Sequence, residues 1–250
     1  MTNTELQTET EDRKKQEKDA PAGSALRVKN RDIAVVGDVL AEGMDYLPSS
    51  GTFREQNKIL AGQVGLVSLN GRLISIIPLA GRYVPKRGDT ILGEVMAMTM
   101  GNWFVNIGYA NEAALSVKEA SSDFIERGAD LSQYFDIGDI IMTQVINVTK
   151  AKNIDLTMRG PGLHKVRGGR LLFVTPSKVP RIIGKQGSMV SLIKDKTGCR
   201  ITVGQNGWIW LQGDDPQKEL LATRAIQKIE AEAHKSGLTE TMQKFLEGSN

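Results

Sequence analysis

Val179-Pro-Arg-Ile-Ile-Gly184-Lys185-Gln186-Gly187-Ser-Met-Val-Ser-Leu-Ile193 is the stretch on which the fold turns. Ile182 and Ile183 close one short helical pattern. Met189, Leu192 and Ile193 share one face of a second, over Ser188–Thr197, which Gly198 stops at a C-cap. Two glycines in the turn between them let a backbone approach a sugar-phosphate strand without interference from a Cβ. The helix that follows offers unpaired N–H groups and a partial positive charge. Lys185 adds a point charge. A lone Gly-x-x-Gly arises by chance in any glycine-rich turn, and its bland reading is a tight bend between helices. The surroundings decide between the two.

Arg170 to Val174 reads as a strand before the turn. After it, the strands Cys199 to Val203 and Trp208 to Leu211 flank Gly204-Gln-Asn-Gly207. Asp215 is a good N-cap with Pro216 at the first helical position, and Ala222, Ile226, Ile229 and Ala233 form the stripe of the last helix. The order β-α-α-β-β-α around this turn resembles the KH domain in its eukaryote-and-archaea form. That resemblance implies a clamp for about four single-stranded nucleotides. Its RNA-binding residues would be Arg181, Gly184, Lys185, Gln186, Gly187 and Lys194. Trp208 and Trp210 alternate with Ile209 and Leu211, so both indoles share one face of their strand. They form either an exposed protein interface or a surface buried under the tail or against the preceding domain.

Upstream, Pro85-Lys-Arg-Gly88-Asp89 opens the strand from Ile91, and a second Gly-Asp turn, Gly138-Asp139, opens Ile140 to Val148. Trp103 to Ile107, Glu112 to Ser116, a helical stretch near 118–127 and Ile154 to Met158 complete five strands with a helical insertion after the third. This is the outline of an OB barrel. Phe104-Val-Asn-Ile-Gly108 and Glu112-Ala-Ala-Leu-Ser116 resemble strands of the S-one-type OB domain. Phe104 would then stack on a base, with Lys150 and Lys152 beside it. The chain departs from that family's pattern at Gly101-Asn102, Ser116, Thr149 and Asn153, which implies a weak RNA contact or a spacer. Trp103 and Phe104 point to opposite faces; one belongs to the core, and alternation does not say which.

Residues 33–79 hold short β-rich runs separated by glycines, with Asn70-Gly71 as a hairpin signal between Val64–Leu69 and Leu73–Leu79. Residues 1–30 carry six acids, six bases and little apolar bulk, the composition of a disordered tail. The expected fold class is therefore multidomain, mainly β plus α+β. A tail spans 1–31, a small β domain 32–83, the OB barrel 84–160, the KH domain 161–235, and a C-terminal helix or tail 236–250.

The chain has 250 residues, 40% apolar and 24% charged, the balance of a soluble globular protein of two or three domains. Its formal net charge of +3 hides a segregation. Residues 86–149 hold four bases and nine acids, whereas 168–213 hold seven bases and one acid, a phosphate-binding footprint. The single cysteine, Cys199, excludes an internal disulfide and a Cys-cluster zinc site. His164 and His234 are far apart and no carboxylates stand at metal-ligand spacing, so no catalytic residue, metal or cofactor is expected. Without a signal-like apolar core or a membrane-length run, a cytoplasmic location is expected.

The order β domain, S-one-type barrel, KH domain resembles the RNA-binding cap subunit family of the archaeal exosome. Val35-Val-Gly-Asp-Val-Leu-Ala-Glu-Gly43, Asn206-Gly-Trp-Ile-Trp210 and His234-Lys-Ser-Gly-Leu-Thr239 are further matches. The resemblance implies a non-catalytic subunit, three copies of which sit on a ring of RNase-PH-like phosphorolytic subunits. The N-terminal β domain would dock on the ring, and the other two domains would feed single-stranded RNA 3′ tails to it. The competing readings are an OB/KH transcription or translation factor and a stand-alone RNA-acting enzyme.

Overall fold

The computed structural model describes residues 25–121, 125–126, 129–235 and 237–247. The chain divides into two compact units, 1–80 and 81–250. Among the described residues no helix is long and apolar enough to cross a membrane.

The first unit is built from two four-stranded sheets. One has the order β1 (Ala25–Leu26), β3 (Val39–Glu42), β6 (Lys58–Ala61), β5 (Thr52–Glu55). The other has the order β2 (Ile33–Ala34), β7 (Gly65–Asn70), β8 (Leu73–Pro78), β4 (Leu47–Pro48). Leu40, Ile59, Val67, Ile74 and Ile76 fill the core between small alanines. The disordered tail expected over 1–31 needs correction at its end. Ala25 and Leu26 pair with Glu42 and Ala41, and Arg31 N–H donates to the Val67 carbonyl at 2.7 Å. A two-residue strand has no periodicity to betray it, and its partners lie far along the chain. The Arg27 guanidinium, 3.0 Å from Glu42, holds that carboxyl below the usual carboxylate range. Residues 1–24 of the expected tail lie outside the described residues. The expected hairpin forms, with β7 running one residue farther. Asn70 pairs with Leu73, leaving Gly71-Arg72 as the loop, with φ 58° at Gly71.

The second unit opens with the barrel. Its strands are β9 (Thr90–Met98), β10 (Asn102–Asn106), β11 (Ala113–Ser116), β12 (Ile140–Val148) and β13 (Ile154–Thr157). The β13–β12 pairing closes the sheet, and β11 and β13 run parallel. A short helix, α1 (Val117–Ala120), follows the third strand; residues 122–124 and 127–128 of the expected longer helix lie outside the described residues. The two Gly-Asp openings are equivalent turns. Lys86 N–H donates to Asp89 Oδ2 (3.0 Å) and Asp136 N–H to Asp139 Oδ2 (2.6 Å), each ahead of its strand. Trp103 is fully buried, stacked edge-on against Phe135 and donating its Nε1–H to the Phe135 carbonyl at 2.9 Å. Trp103 is thus the core member of its pair with Phe104. Tyr83 is buried beside the barrel core; that burial and its 2.7 Å hydrogen bond to Asp89 push its phenol far above the usual range. A sixth strand, β14 (His164–Val166), on the KH side of the expected boundary, pairs with β12.

The KH elements follow: β15 (Arg170–Phe173), α2 (Val179–Ile183), α3 (Ser188–Thr197), β16 (Arg200–Val203), β17 (Trp208–Gln212) and α4 (Pro216–Glu232). The sheet order is β15-β17-β16. Asp215 caps α4 by accepting from Gln217 N–H at 2.9 Å, as a side-chain oxygen at that position should. Gly198 closes α3 at φ 68°. A last helix, α5 (Leu238–Glu247), buries Leu238, Met242 and Leu246 in the same core as Ile193, Ile226 and Ile229.

Candidate nucleic-acid interface

The turn between α2 and α3 departs sharply from ordinary backbone. Gly184 sits at φ 75°, ψ 176° and Gly187 at φ 82°, ψ 5°, while Gln186 between them takes φ 54° without being glycine. The two glycines serve different ends. A Cβ on Gly184 would stand 2.6 Å from the Met189 backbone nitrogen, so the turn lies flush against the start of α3. A Cβ on Gly187 would meet nothing within 4 Å; there only the left-handed φ favours glycine. Gln186 carries a strain of order 1–2 kcal/mol in that region, and its side chain is held out to solvent with that of Lys185.

No side chain caps the N-terminus of α3, and no acidic residue lies in its first turn. Its first N–H groups and the partial positive charge behind them are open to an anion. Arg181, Lys185 and Lys194 are exposed, and none makes a salt bridge among the described residues. The turn thus joins a close-packed glycine to an open helix terminus, with the exposed Arg181 just before it and Lys185 within it.

The barrel residues stand apart from that turn. Phe104 is half-buried on the outward face of β10, in a row with Ala97, Ala114 and Asp155. The two alanines leave its ring room for a stacked base. Asp155, hydrogen-bonded to Asn147 at 3.0 Å, puts a carboxylate in the same row. Lys150 and Lys152 are exposed in the β12–β13 hairpin, where the Lys152 carbonyl accepts from Asn111 Nδ2 at 3.2 Å.

The tryptophan pair is not an exposed interface. Trp208 and Trp210 are each 7% exposed and pack with Leu92 and Val166, beside Ile140 and Met142, on the barrel's outward face. Alternation correctly put both indoles on one face, but the face is covered. At ~25 cal/mol per Å² and about 150–250 Å² per indole, each contributes a gross 4–6 kcal/mol to the seam. The loop between β16 and β17 completes that seam. Gln205 N–H donates to the Thr90 carbonyl at 2.9 Å, and its Oε1 accepts from Thr90 N–H at 2.6 Å. Buried Asn206 donates to the Leu92 and Ile107 carbonyls at 2.7 and 2.9 Å and accepts from Leu92 N–H at 3.3 Å. β10 is paired to β9 only as far as Glu94, so these two amides act as the missing partner for the start of β9. The sequence places Gln205 and Asn206 only in a turn between two strands; two amides flanked by glycines were the available signal for their pairing. Among the described residues no group of three or more His, Cys, Asp or Glu is placed to hold a metal.

The S1 RNA binding domain model matches residues 84–159, and the KH domain model matches residues 170–228. The chain is 44% identical to the exosome complex component Rrp4 of Thermococcus kodakarensis, over 88% of this chain and 86% of that one. It is 43% identical to the Rrp4 component of Methanothermus fervidus, over 88% of this chain and 97% of that one. The corresponding protein of Methanothermobacter thermautotrophicus is 41% identical, over 89% of this chain and 70% of that one. Among solved structures, a crystal structure of a candidate exosome complex RNA-binding protein superposes with a TM-score of 0.61 at 35% identity, covering 68% of this chain and 97% of that one.

Proposed function

The chain belongs to the family of Rrp4 exosome complex components, and on that premise we infer that it is an RNA-binding cap subunit of the exosome that grips single strands at the Gly184–Gly187 turn. The carrying observation is the turn itself: flush against α3 at Gly184, opening onto an uncapped helix terminus, with exposed Arg181 just before it, Lys185 within it and Lys194 farther along α3, none ion-paired among the described residues. Phe104, Lys150 and Lys152 supply a weaker second contact. The subunit is non-catalytic in this reading. It captures RNA 3′ tails and delivers them to RNase-PH-like ring subunits, with three copies per ring adding avidity through effective concentration.

The N-terminal unit is the ring-docking part. Its second sheet presents Ile33, Leu66 and Ile77 directly opposite one another across β2, β7 and β8, with Ile33 69% and Ile77 55% exposed. An aliphatic row of this kind on so small a unit suits a partner surface. Copurification tests the reading. Tagged chain should retain the ring subunits, and Ile33→Asp with Ile77→Asp should release them while RNA binding persists. Retention of polymerase or ribosomes instead would refute it. So would shortening of labelled oligoadenylate by the isolated chain with phosphate and Mg²⁺.

A further inference from the structure

We propose that the seam between the barrel and the KH sheet is a second phosphate-binding site, a cleft that holds the RNA backbone after it leaves the Gly184–Gly187 turn; this rests on the single-strand clamp inferred above. The cleft has a volume of about 610 Å³. Its walls come from both domains: His164, Lys165 and Arg167 on or beside β14, Arg200 on β16, and Lys194 on α3. No carboxylate lines it.

The charges are unevenly committed. Lys165 is ion-paired with Asp139, and His164 Nδ1 is engaged with the Gly162 carbonyl. Arg167, Lys194 and Arg200 are exposed and have no ion pair among the described residues. Three unpaired cations around one acid-free cleft repel one another, and an anion relieves that repulsion. Trp210 lines the same cleft with its Nε1–H already given to the Gly168 carbonyl at 2.7 Å, so its ring is an apolar wall. Gln212, directly opposite Arg200 across the sheet, lines it too and brings a neutral amide donor.

The position favours a chain of phosphates over a single ion. The cations are solvent-facing and spread over three elements, rather than gathered in a buried cage. Lys194 lies six residues into α3 from its start at Ser188, about 9 Å along the axis. A backbone running along α3 from the clamp therefore passes Lys194 before it reaches Arg200 and Arg167. The seam contacts of Asn206 and the tryptophans hold the two walls together.

Arg167→Gln with Arg200→Gln, made in the full chain, tests the cleft, with the circular-dichroism melt verifying the fold. The probes are a tetra-adenylate, which spans only the clamp, and an oligoadenylate of roughly 12 nucleotides, within the range of single-strand site sizes. Each phosphate contact to a single strand contributes about 0.7 to the log–log salt slope, or about fivefold in affinity at 0.1 M salt. The double variant should therefore bind the longer probe about 25-fold more weakly at 0.1 M salt, with a slope shallower by about 1.4. Its affinity for the tetramer should not change. Unchanged affinity and slope for the longer probe overturn the proposal. So does a phosphorus-31 shift of inorganic phosphate that vanishes in the variant while RNA affinity holds, because the cleft would then serve the free ion. Failure of the clamp shows differently. Lys185→Asp with Gln186→Asp would bind the tetramer as the native chain does, and the longer probe would still decide the cleft.

Discussion

Asn206 joins two domains through one carboxamide, and replacing it by leucine isolates that contribution. The leucine keeps the volume but removes two hydrogen bonds under 3 Å and a longer one at 3.3 Å. It leaves the Leu92 N–H, the Leu92 carbonyl and the Ile107 carbonyl unpaired at a buried position, since Asn206 is only 4% exposed. At ~1–3 kcal/mol for each orphaned group, and weighting the long bond least, the loss is roughly 3–5 kcal/mol. It falls on the seam rather than on either core. The barrel and the KH domain should therefore unfold at separate urea concentrations. The emission of Trp208 and Trp210, which report on the seam, should shift before far-ultraviolet dichroism falls. A shift below about 1 kcal/mol with coincident transitions would refute the reasoning, because the seam would then be held by the indoles alone. Asn206→Asp is the sharper variant. It keeps the acceptor for Leu92 N–H but sets an oxygen against two carbonyls, so the folded state favours the protonated acid. Its folded pKa lies above the unfolded value of about 3.9, and stability should fall as pH rises from there through the folded pKa.

Trp103→Ala should cost about 3–5 kcal/mol in chemical denaturation, because it opens a core cavity and strands the Phe135 carbonyl. Its neighbour behaves oppositely: Phe104→Ala should hardly change stability but weaken oligoadenylate binding by ~1–3 kcal/mol if one base stacks there. Gly184→Ala should destabilise the KH fold by roughly 2–4 kcal/mol and Gly187→Ala by only about 1, since the first meets backbone and the second only an unfavourable φ; equal losses in thermal melts would contradict this. The Tyr83 phenol, raised by burial and by its bond to Asp89, stays protonated in the folded state while the unfolded phenol ionises near pH 10. Stability should therefore fall as pH rises above about 10. Tyr83→Phe should remove that alkaline slope at a cost of about 1–2 kcal/mol at neutral pH.

Local chemistry made much of this protein readable in one dimension. The α3 helix begins and ends at the residues expected from its apolar face and its closing glycine, and Asp215 caps α4 as its side chain demands. Two Gly-Asp turns announced the two long barrel strands. What failed had no local signature. Strand β1 is two residues whose partners lie far along the chain, Leu26 pairing with Ala41 and Ala25 with Glu42. Asn70, expected in the turn, instead closes β7 by pairing with Leu73, with Val67 opposite Ile76 in the core. The phosphate cleft drew on Arg167 and Arg200, which sequence could count as charges but not aim at a common space.

By itself the sequence determined the glycine turn, its helices, the basic stretch and the family, because φ preference, capping and periodicity act over a few residues. The tertiary structure decided the fate of each face. Trp103 or Phe104 inside, indoles open or covered, and an amide at 206 pairing with the Leu92 backbone 114 positions away all depend on which surfaces meet. Alternation specifies that two faces exist; only the area removed from water, and the backbone groups left needing partners, select the one that is buried.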